Sequence, residues 1–368
     1  MEDIFVSNSR IKVKSRFHEY QVVTQSNIED EIEKLKSKGN VHVIIDSKVH
    51  SLYKNKLSWI ECIDSVSEIE AIEENKDIKA VQNLARILLM NGVTKNDCLV
   101  VIGGGIIQDI SAFTANILKR GVDWYFLPTT LLAMCDSCIG SKVGINMSGF
   151  KNQLGLFWPP TEIFIDTSFL DTLGHEDIMS GIGEILKVHL IAGKNDFDKV
   201  RKDYKKMHSD YSILENYITR SLQIKKEIVE KDEFDVDYRH ILNYGHTFGH
   251  AIESYTNHFI PHGIGVTIGM EIANYISMEK GYIAEESFNY ISEVLRQNIP
   301  YNMLNYNDHT KMSRILAADK KFDGQRLNAI LCKGIGNIIQ DKLSIDKNLL
   351  ELIGDYTKYY NASCSKIG

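Results

Sequence analysis

Proline is scarce in this chain, at 5 of 368 residues, well below an average usage of roughly 5%. This excludes Pro-rich linkers and predicts that each remaining proline marks a specific turn. Long apolar runs are also missing: the chain has no stretch of about 18 apolar residues, and its N-terminal segment lacks the apolar core of a signal peptide. We therefore expect a cytoplasmic protein that does not bind membranes.

An excess of positive charge is absent as well. The 42 basic and 49 acidic residues give a net charge of −7, which provides no general attraction to nucleic acid or to anionic lipid. An anionic ligand must therefore be bound by a local group of basic residues. The six cysteines are thinly spread, which favours reduced thiols over a disulfide framework, and we interpret the Cys135/Cys138 pair as structural.

Strand and helix patterns alternate in the first half of the chain. Apolar runs predict buried strands, glycine or proline ends two of them, and amphipathic stretches predict helices; the segments are 41–46 (strand), 67–90 (helix), 98–102 (strand), 106–118 (helix) and 124–127 (strand). This alternation predicts an α/β domain with a parallel sheet, of the nucleotide-binding type. Beyond about residue 175 the long amphipathic stretches predict a mostly helical domain. We therefore expect domains at 1–175 and 176–368.

A glycine turn follows the second of these strands. Gly103, Gly104 and Gly105 open a helix, so backbone amides and the positive helix end are available to a phosphate. Gln108 stands where the dinucleotide fingerprint GxGxxG needs its last glycine, and a tight turn without a ligand is the alternative. Asp109 suits hydrogen bonds to a ribose or an amide, or simple capping of the helix.

Polar residues are concentrated between Pro128 and Pro160, in a stretch rich in glycine and serine. Lysine ammonium groups and amides on a closely approachable backbone are what a phosphorylated ligand requires, although a solvated loop has similar polarity. The residues are Thr129, Thr130, Asp136, Lys142, Asn146, Lys151 and Asn152.

Carboxylate and histidine residues form a third group. Glu184 and Lys187 share a helix face, as do His246 and His250, and His262 follows shortly after. One Glu with two His is a common catalytic zinc set, and the spacing leaves open which two histidines bind. The HxxxH segment lacks the Glu of HExxH, which excludes a metalloprotease of that class. Lys225, Arg239 and the pair Lys320/Lys321 have, by themselves, the pattern of solvated helix faces.

Together these segments resemble the dehydroquinate synthase family of sugar-phosphate cyclases, in order from about residue 70 to 335. The matching segments are 103–109 (GGGIIQD), 119–122 (KRGV), 127–133 (LPTTLLA), 136–137, 142, 151–152, 183–187 (GEILK), 239–253 and 319–321. The resemblance implies an N-terminal α/β domain that binds NAD and a helical domain that holds a divalent metal, zinc or cobalt. It also implies a homodimer in which Arg120 reaches the neighbouring subunit's site.

The resemblance further implies roles for individual residues. Metal ligands would be Glu184, His246 and His262. The residues around NAD would be Asp46, Glu73, Lys76, Gly103, Gly104, Gly105, Asp109, Thr129, Thr130, Lys142, Lys151, Phe169 and Thr172. Catalytic residues would be Asp136, Lys142, Lys187, Lys225, Arg239, Asn243 and His250. Substrate contacts would come from Arg120, Asn152, Lys225, Arg239, Asn243, His250 and Lys321.

The implied reaction converts 3-deoxy-D-arabino-heptulosonate 7-phosphate into 3-dehydroquinate and phosphate, through transient oxidation by NAD, phosphate elimination, re-reduction and an intramolecular aldol step. Lys225 and Arg239 match the pair that holds the substrate carboxylate. By contrast, Gly140-Ser-Lys-Val143 departs from the Gly-Gly-Lys-Thr usual in the synthase, and Gly149-Phe-Lys-Asn152 with Trp158-Pro-Pro160 resembles the sedoheptulose cyclases. A sibling cyclase acting on sedoheptulose 7-phosphate or an amino-heptulosonate phosphate is therefore one alternative. A metal- and NAD-dependent polyol-phosphate dehydrogenase is another.

Overall fold

The computed structural model describes residues 10–24, 27–148, 150–300, 308–318 and 326–364. The strands are β1 (Arg10–Val13), β2 (Tyr20–Thr24), β3 (Val41–Asp46), β4 (Ser65–Ile69), β5 (Cys98–Gly103), β6 (Asp123–Pro128), β7 (Lys142–Met147), β8 (Phe150–Phe157), β9 (Glu162–Ile165), β10 (Leu327–Cys332) and β11 (Ile338–Leu343). The α-helices are α1 (Ile28–Lys36), α2 (Ser47–Leu52), α3 (Ile78–Met90), α4 (Gly105–Ile117), α5 (His175–Ala192), α6 (Lys194–Met207), α7 (Tyr211–Lys231), α8 (His246–Tyr255), α9 (His262–Glu279), α10 (Glu285–Leu295), α11 (His309–Ala317) and α12 (Lys347–Cys364).

Seven strands form one sheet in the order β1-β2-β9-β6-β5-β3-β4, and every neighbouring pair except β1/β2 is parallel. The central strands β3, β5 and β6 are buried along almost their whole length. Continuous apolar runs are what a parallel sheet covered on both faces requires. The predicted α/β class with a parallel sheet is confirmed.

The expected helix over 67–90 is wrong in its first part. Residues Ser65–Ile69 form β4 and pair with β3 at the sheet edge. Their two apolar residues, Val66 and Ile69, are three apart, a spacing that fits a helix as well as a strand. The helix begins only at Ile78, where the Asp77 side chain accepts hydrogen bonds from the amides of Lys79 and Ala80.

Within the described residues, two strand pairs lie outside the sheet. The polar, glycine-rich stretch after Pro128 contains the antiparallel hairpin β7/β8, and β10 pairs antiparallel with β11. The half of the chain predicted to be mostly helical therefore also contains a strand pair, at 327–343. Most of that half is nevertheless helical, as expected.

The chain divides into two compact units. The first contains residues up to Leu173 together with Ile218–Phe234, and the second contains Gly174–Tyr217 together with the residues from Asp235 onward. The division runs through α7, and the continuous domains 1–175 and 176–368 stay a prediction. Within the described ranges, no helix is both long and apolar enough to cross a membrane.

Candidate functional site

The glycine turn of the first unit lies at the carboxyl end of the sheet. Strand β5 ends at Gly103, α4 begins at Gly105, and the Thr129 amide donates to the Gly103 carbonyl at 3.0 Å. A Cβ on Gly104 would stand only 3.0 Å from the Thr130 side chain, which would have to move to admit it. Bare backbone at the start of a 13-residue helix suits a pyrophosphate group.

Two further predicted cofactor residues follow β3 and β9. Asp46 ends β3 and caps α2 by accepting from the Lys48 amide at 3.0 Å, while partial burial raises the pKa of its carboxyl despite that bond. Phe169 is buried with its ring centroid 4.8 Å from that of Tyr53, whose hydroxyl accepts a hydrogen bond from Thr172. Tyr53 therefore holds the 169–172 segment in place.

Lys76, Asp109 and Asn152 meet in the first unit. Lys76 Nζ lies 2.5 Å from Asp109 Oδ2 and donates to Asn152 Oδ1 at 2.8 Å. Asp109 also accepts from the Gly144 amide at 3.1 Å. Burial raises the pKa of Asp109, and the Lys76 ammonium opposes that effect. Predicted site residues thus join the segment before α3 to α4 and to the hairpin β7/β8.

Glu73 and Lys151 belong to the same neighbourhood. Glu73 Oε1 accepts from Asn146 Nδ2 at 2.8 Å and lies 4.0 Å from Lys151 Nζ. Asn146 Oδ1 in turn accepts from the Asn152 amide at 2.9 Å, with Asn152 at φ +52°. The pair Glu73 and Lys76 therefore lies beside the lysine-bearing hairpin.

Asp136 lies in a π-helical turn, Ala133–Ser137, which is a rare element often found at functional sites. The buried Lys225 on α7 donates to the Asp136 carbonyl at 2.6 Å, and its ammonium lies 3.0 Å from Asp136 Oδ1. Lys142 and Arg120 both present exposed side chains, and Arg120 has a left-handed backbone at φ +61°.

Glycines bring three helices of the second unit into backbone contact. A Cβ on Gly183 of α5 would overlap the Gly263 carbonyl of α9, and one on Gly249 of α8 would stand 2.7 Å from the Gly265 carbonyl. Gly245, at φ +79°, precedes α8 in a conformation that favours glycine. Each of these glycines except Gly265 is a sequence neighbour of a predicted site residue. The close helix packing therefore fixes the Cα positions of Glu184, His246, His250 and His262.

The side chains of these helices converge. One ligand atom each from His246, His250 and His262 falls within 4.8 Å of the others. Glu184 Oε1, deeply buried, lies 3.8 Å from His246 Nε2 and 3.5 Å from His262 Nε2. Donor atoms around a tetrahedral zinc ion stand roughly 3.4 Å apart. If the distances between these donor atoms shortened by a few tenths of an ångström, Glu184, His246 and His262 could together hold a divalent ion.

A second contact orients the ring of each of two histidines. His246 Nδ1 lies 3.3 Å from the Tyr244 carbonyl oxygen, and His262 Nδ1 lies 3.0 Å from Glu253 Oε1. Carbonyl and carboxylate oxygens accept, so Nδ1 donates in both rings, and Nε2, which faces Glu184, is the nitrogen that would bind a metal in place of a proton. Burial disfavours a charged His262, but Glu184 and Glu253 outweigh it and raise its pKa to about 10. The site thus favours positive charge.

Glu253 is the site residue that sequence reasoning missed. It lies three residues after His250 on α8, and this spacing on one helix face was the available signal. Lys187, also deeply buried, forms an ion pair with Glu184 one turn away on α5. Arg239 is buried in the short helix Tyr238–Asn243, Asn243 ends that helix, and His250 is exposed. Lys321 lies outside the described residues.

Two family models match the chain consecutively. Residues 66–180 match the 3-dehydroquinate synthase N-terminal model, and residues 181–322 match the C-terminal model. A 3-dehydroquinate synthase from Pelagibacter ubique is 32% identical, over 93% of this chain and 97% of the relative. The chain belongs to the 3-dehydroquinate synthase family. Another family member, the 3-dehydroquinate synthase of Clostridium tetani, is 36% identical over 74% of this chain and 75% of its own.

Solved structures support the fold of this family member. A 2-deoxy-scyllo-inosose synthase complexed with carbaglucose-6-phosphate, NAD+ and Co2+ has a TM-score of 0.84 at 23% identity, covering 94% of this chain and 100% of that one. The 2-epi-5-epi-valiolone synthase of Streptomyces hygroscopicus, with NAD+ and Zn2+ bound, has a TM-score of 0.81 at 24% identity, covering 96% and 99%. At these identities the likeness concerns the fold.

Proposed function

We propose that this chain is a 3-dehydroquinate synthase, a phosphate-eliminating carbon–oxygen lyase that converts 3-deoxy-D-arabino-heptulosonate 7-phosphate into 3-dehydroquinate and phosphate. The observation that carries the proposal is the similarity to a curated synthase over nearly the full length of both chains. The homodimer, the shikimate-pathway role and the cytoplasmic location belong to the same proposal.

The metal centre is assigned to Glu184, His246 and His262, with zinc or cobalt as the ion. Two imidazoles and a carboxylate fit either ion, and three protein ligands leave a position for substrate hydroxyls. A divalent ion supplies Lewis acidity, which lowers the pKa of a bound hydroxyl. Glu253 orients His262 by accepting a hydrogen bond from its Nδ1–H, and Lys187 partly balances the charge of Glu184.

NAD is assigned to the carboxyl end of the sheet in the first unit. The Gly103–Gly105 turn and the neighbouring threonines fit a pyrophosphate, since a Cβ on Gly104 would take up the space beside Thr130. Bound NAD supplies reversible hydride transfer. Asp46, the 169–172 segment, Lys151 and the joined Glu73, Lys76 and Asp109 complete the proposed cofactor surroundings.

Substrate contacts are assigned by charge in each unit. In the first unit, Lys142 and Asn152 bind the phosphate and Lys225 binds the carboxylate, while Asp136 orients substrate hydroxyls. In the second unit, His250, Asn243 and Lys321 bind phosphate or hydroxyls and Arg239 binds the carboxylate. Arg120 is assigned to the neighbouring subunit's phosphate, and its exposed, left-handed position suits such a role.

The decisive experiment incubates the protein with the heptulosonate phosphate, NAD and Zn2+ and measures phosphate and 3-dehydroquinate. Stoichiometric release without net NADH supports the proposal. Phosphate release from sedoheptulose 7-phosphate instead would identify a sibling cyclase, and accumulation of NADH would identify a polyol-phosphate dehydrogenase.

Arg239→Ala tests the substrate carboxylate. Losing a charged hydrogen-bond partner costs about 2–3 kcal/mol, so KM for the heptulosonate should rise on the order of 30- to 100-fold while metal content stays unchanged. The exposed Arg314 offers a matched control, Arg314→Ala, which should leave KM unaltered. An unchanged KM in Arg239→Ala would contradict the carboxylate assignment.

A further inference from the structure

The turn that precedes Lys142 has an unusual backbone. The Lys142 amide donates to the Gly140 carbonyl at 2.7 Å, which closes a three-residue turn with Ser141 at its centre. Ser141 has φ +56° and Gly140 has φ +112°. Three-residue turns with a positive φ at the centre are rare and strained, and a residue with a Cβ makes the strain larger. Such strain persists only where surrounding contacts determine it.

Glu233 supplies the side-chain contact that holds this turn. Its Oε1 accepts hydrogen bonds from Ser141 Oγ at 2.6 Å and from Ser15 Oγ at 2.6 Å, and its Oε2 accepts from the Arg16 amide at 2.7 Å. Ser141 and Glu233 are both buried. Charge-assisted hydrogen bonds of this length are among the stronger ones in proteins. Glu233 thus ties the turn to the segment between β1 and β2.

Helix α7 and the residues just beyond it contact the segment 136–141 at both of its ends. Lys225 on α7 binds Asp136, and Glu233, just beyond the end of α7, binds Ser141. Backbone bonds add to this, because Gly140 donates to the Tyr20 hydroxyl at 3.0 Å and the Trp158 amide donates to the Ser141 carbonyl at 2.7 Å. The exposed side chain of Lys142 leaves directly from this fixed turn.

We infer that Glu233 is a positioning residue: it holds Ser141 in its left-handed conformation and thereby fixes where the Lys142 ammonium meets the substrate phosphate. The inference rests on the proposed function of Lys142. It assigns to Glu233 no contact with substrate, cofactor or metal. Its effect should therefore appear in phosphate affinity, since the carboxylate acts only through the turn.

The test compares variants of both partners. In Ser141→Ala the Cβ remains and the hydrogen bond is lost, so KM for the sugar phosphate and Ki for inorganic phosphate should both rise about tenfold, with kcat little changed. Ser141→Gly adopts a positive φ without strain and should stay within about threefold of the native protein. Glu233→Gln should resemble Ser141→Ala, and adding Ser141→Gly to it should restore most of the phosphate affinity.

Ser15→Ala is the matched control, because it removes a different bond to the same carboxylate oxygen. It should lower Tm without changing Ki for phosphate. The inference is overturned if Ser141→Ala leaves Ki unchanged, if Ser141→Gly does not rescue Glu233→Gln, or if Ser15→Ala raises Ki as strongly as Ser141→Ala. A native protein that releases no phosphate from the heptulosonate phosphate would overturn the proposed function instead, while Ki for inorganic phosphate would still test the turn.

Discussion

Helix α9 takes part in two charged clusters that differ in composition. At its first residue, His262 contacts the carboxylates of Glu184 and Glu253. Further along the helix, the fully buried Glu271 contacts Arg296 Nε at 3.1 Å and the Tyr356 hydroxyl at 3.3 Å. The first cluster is rich in carboxylates and imidazoles, whereas the second matches its carboxylate with a guanidinium.

The difference in charge balance indicates that the first cluster suits a bound cation, whereas the second contributes to folding stability. Glu184 and Glu253 raise the pKa of His262, so the first cluster attracts a cation. In the second cluster the guanidinium of Arg296 balances the charge of Glu271 and lies 4.9 Å from the ring centroid of Tyr359. Burial raises the pKa of Glu271, and Arg296 opposes that effect. Burial of charge alone therefore does not identify a functional site.

His262→Ala should show the largest effect on activity. Removing a ligand abolishes several kcal/mol of metal-dependent stabilisation of the transition state, which corresponds to a loss of kcat/KM on the order of 10³-fold or more. Bound zinc, measured by elemental analysis, should fall in parallel. His309→Ala, on the exposed first residue of α11, is the control. A fully metallated His262→Ala protein would contradict the ligand assignment.

Arg296→Met should lower stability and leave metal binding unchanged. It leaves the Glu271 carboxylate buried without its guanidinium, which should lower the free energy of unfolding by about 3–5 kcal/mol in urea denaturation at pH 8. The pKa of Glu271 is already raised in the folded state, and a raised carboxyl pKa contributes stability at low pH that is lost as pH rises through it. The destabilisation should therefore be smaller at pH 5 than at pH 8.

Metal content of the folded Arg296→Met protein should equal that of the native protein, because Arg296 contacts Glu271 rather than a proposed ligand. The exposed Arg314 provides the control substitution Arg314→Met. An equal loss of stability at both pH values would show that Glu271 does not titrate as proposed.

Glu253→Gln should weaken the metal centre without unfolding it. The amide oxygen still accepts from His262 Nδ1 but carries no charge, so metal affinity should fall about 10- to 100-fold, measured by competition with a chelator. Glu279→Gln, at the exposed end of α9, is the matched control and should bind metal normally. An unchanged affinity in Glu253→Gln would remove Glu253 from the centre.

Tyr356→Phe should show the smallest effect. It removes one hydrogen bond to Glu271 and should cost about 1 kcal/mol of unfolding free energy, with no change in metal affinity. Tyr360→Phe, on the same helix, removes a bond to the neutral Ile299 carbonyl and should cost less. Equal losses in the two variants would show that the charge of Glu271 adds nothing to this bond.

The parts of the fold that the sequence predicts well are those with uninterrupted patterns. The apolar run 41–46 coincides with β3, and His246–Tyr255 is helical as expected, since each shows one period from end to end. The edge strand β4 has only two apolar residues, three apart, so it shows no strand period. Strand β10 is a short apolar run, which cannot be distinguished from a buried helix segment by periodicity alone. The hairpin at 142–157 is hard to predict because glycine, lysine and other polar residues interrupt the alternation of apolar residues in its strands.

For the candidate site, the sequence predicted the residue types and the structure added their grouping. Spacing placed His246 and His250 on one helix face, but the proximity of His246 to Glu184 depends on how α5 packs in the second unit. The joining of Lys76 to Asp109 and Asn152 depends likewise on tertiary contacts. Glu233 was missed because its partners at 15, 16 and 141 are distant in the sequence.

The glycines between α5, α8 and α9 set the frame of the metal centre independently of its donors. Because the backbones themselves touch at Gly183, Gly249 and Gly263, the spacing of the three helices depends little on which side chains occupy the neighbouring ligand positions. Replacing one donor should therefore change metal affinity while the helix spacing stays nearly the same. A Cβ on any of these glycines would instead meet the backbone of the facing helix, so enlarging one of them should displace all the donors together.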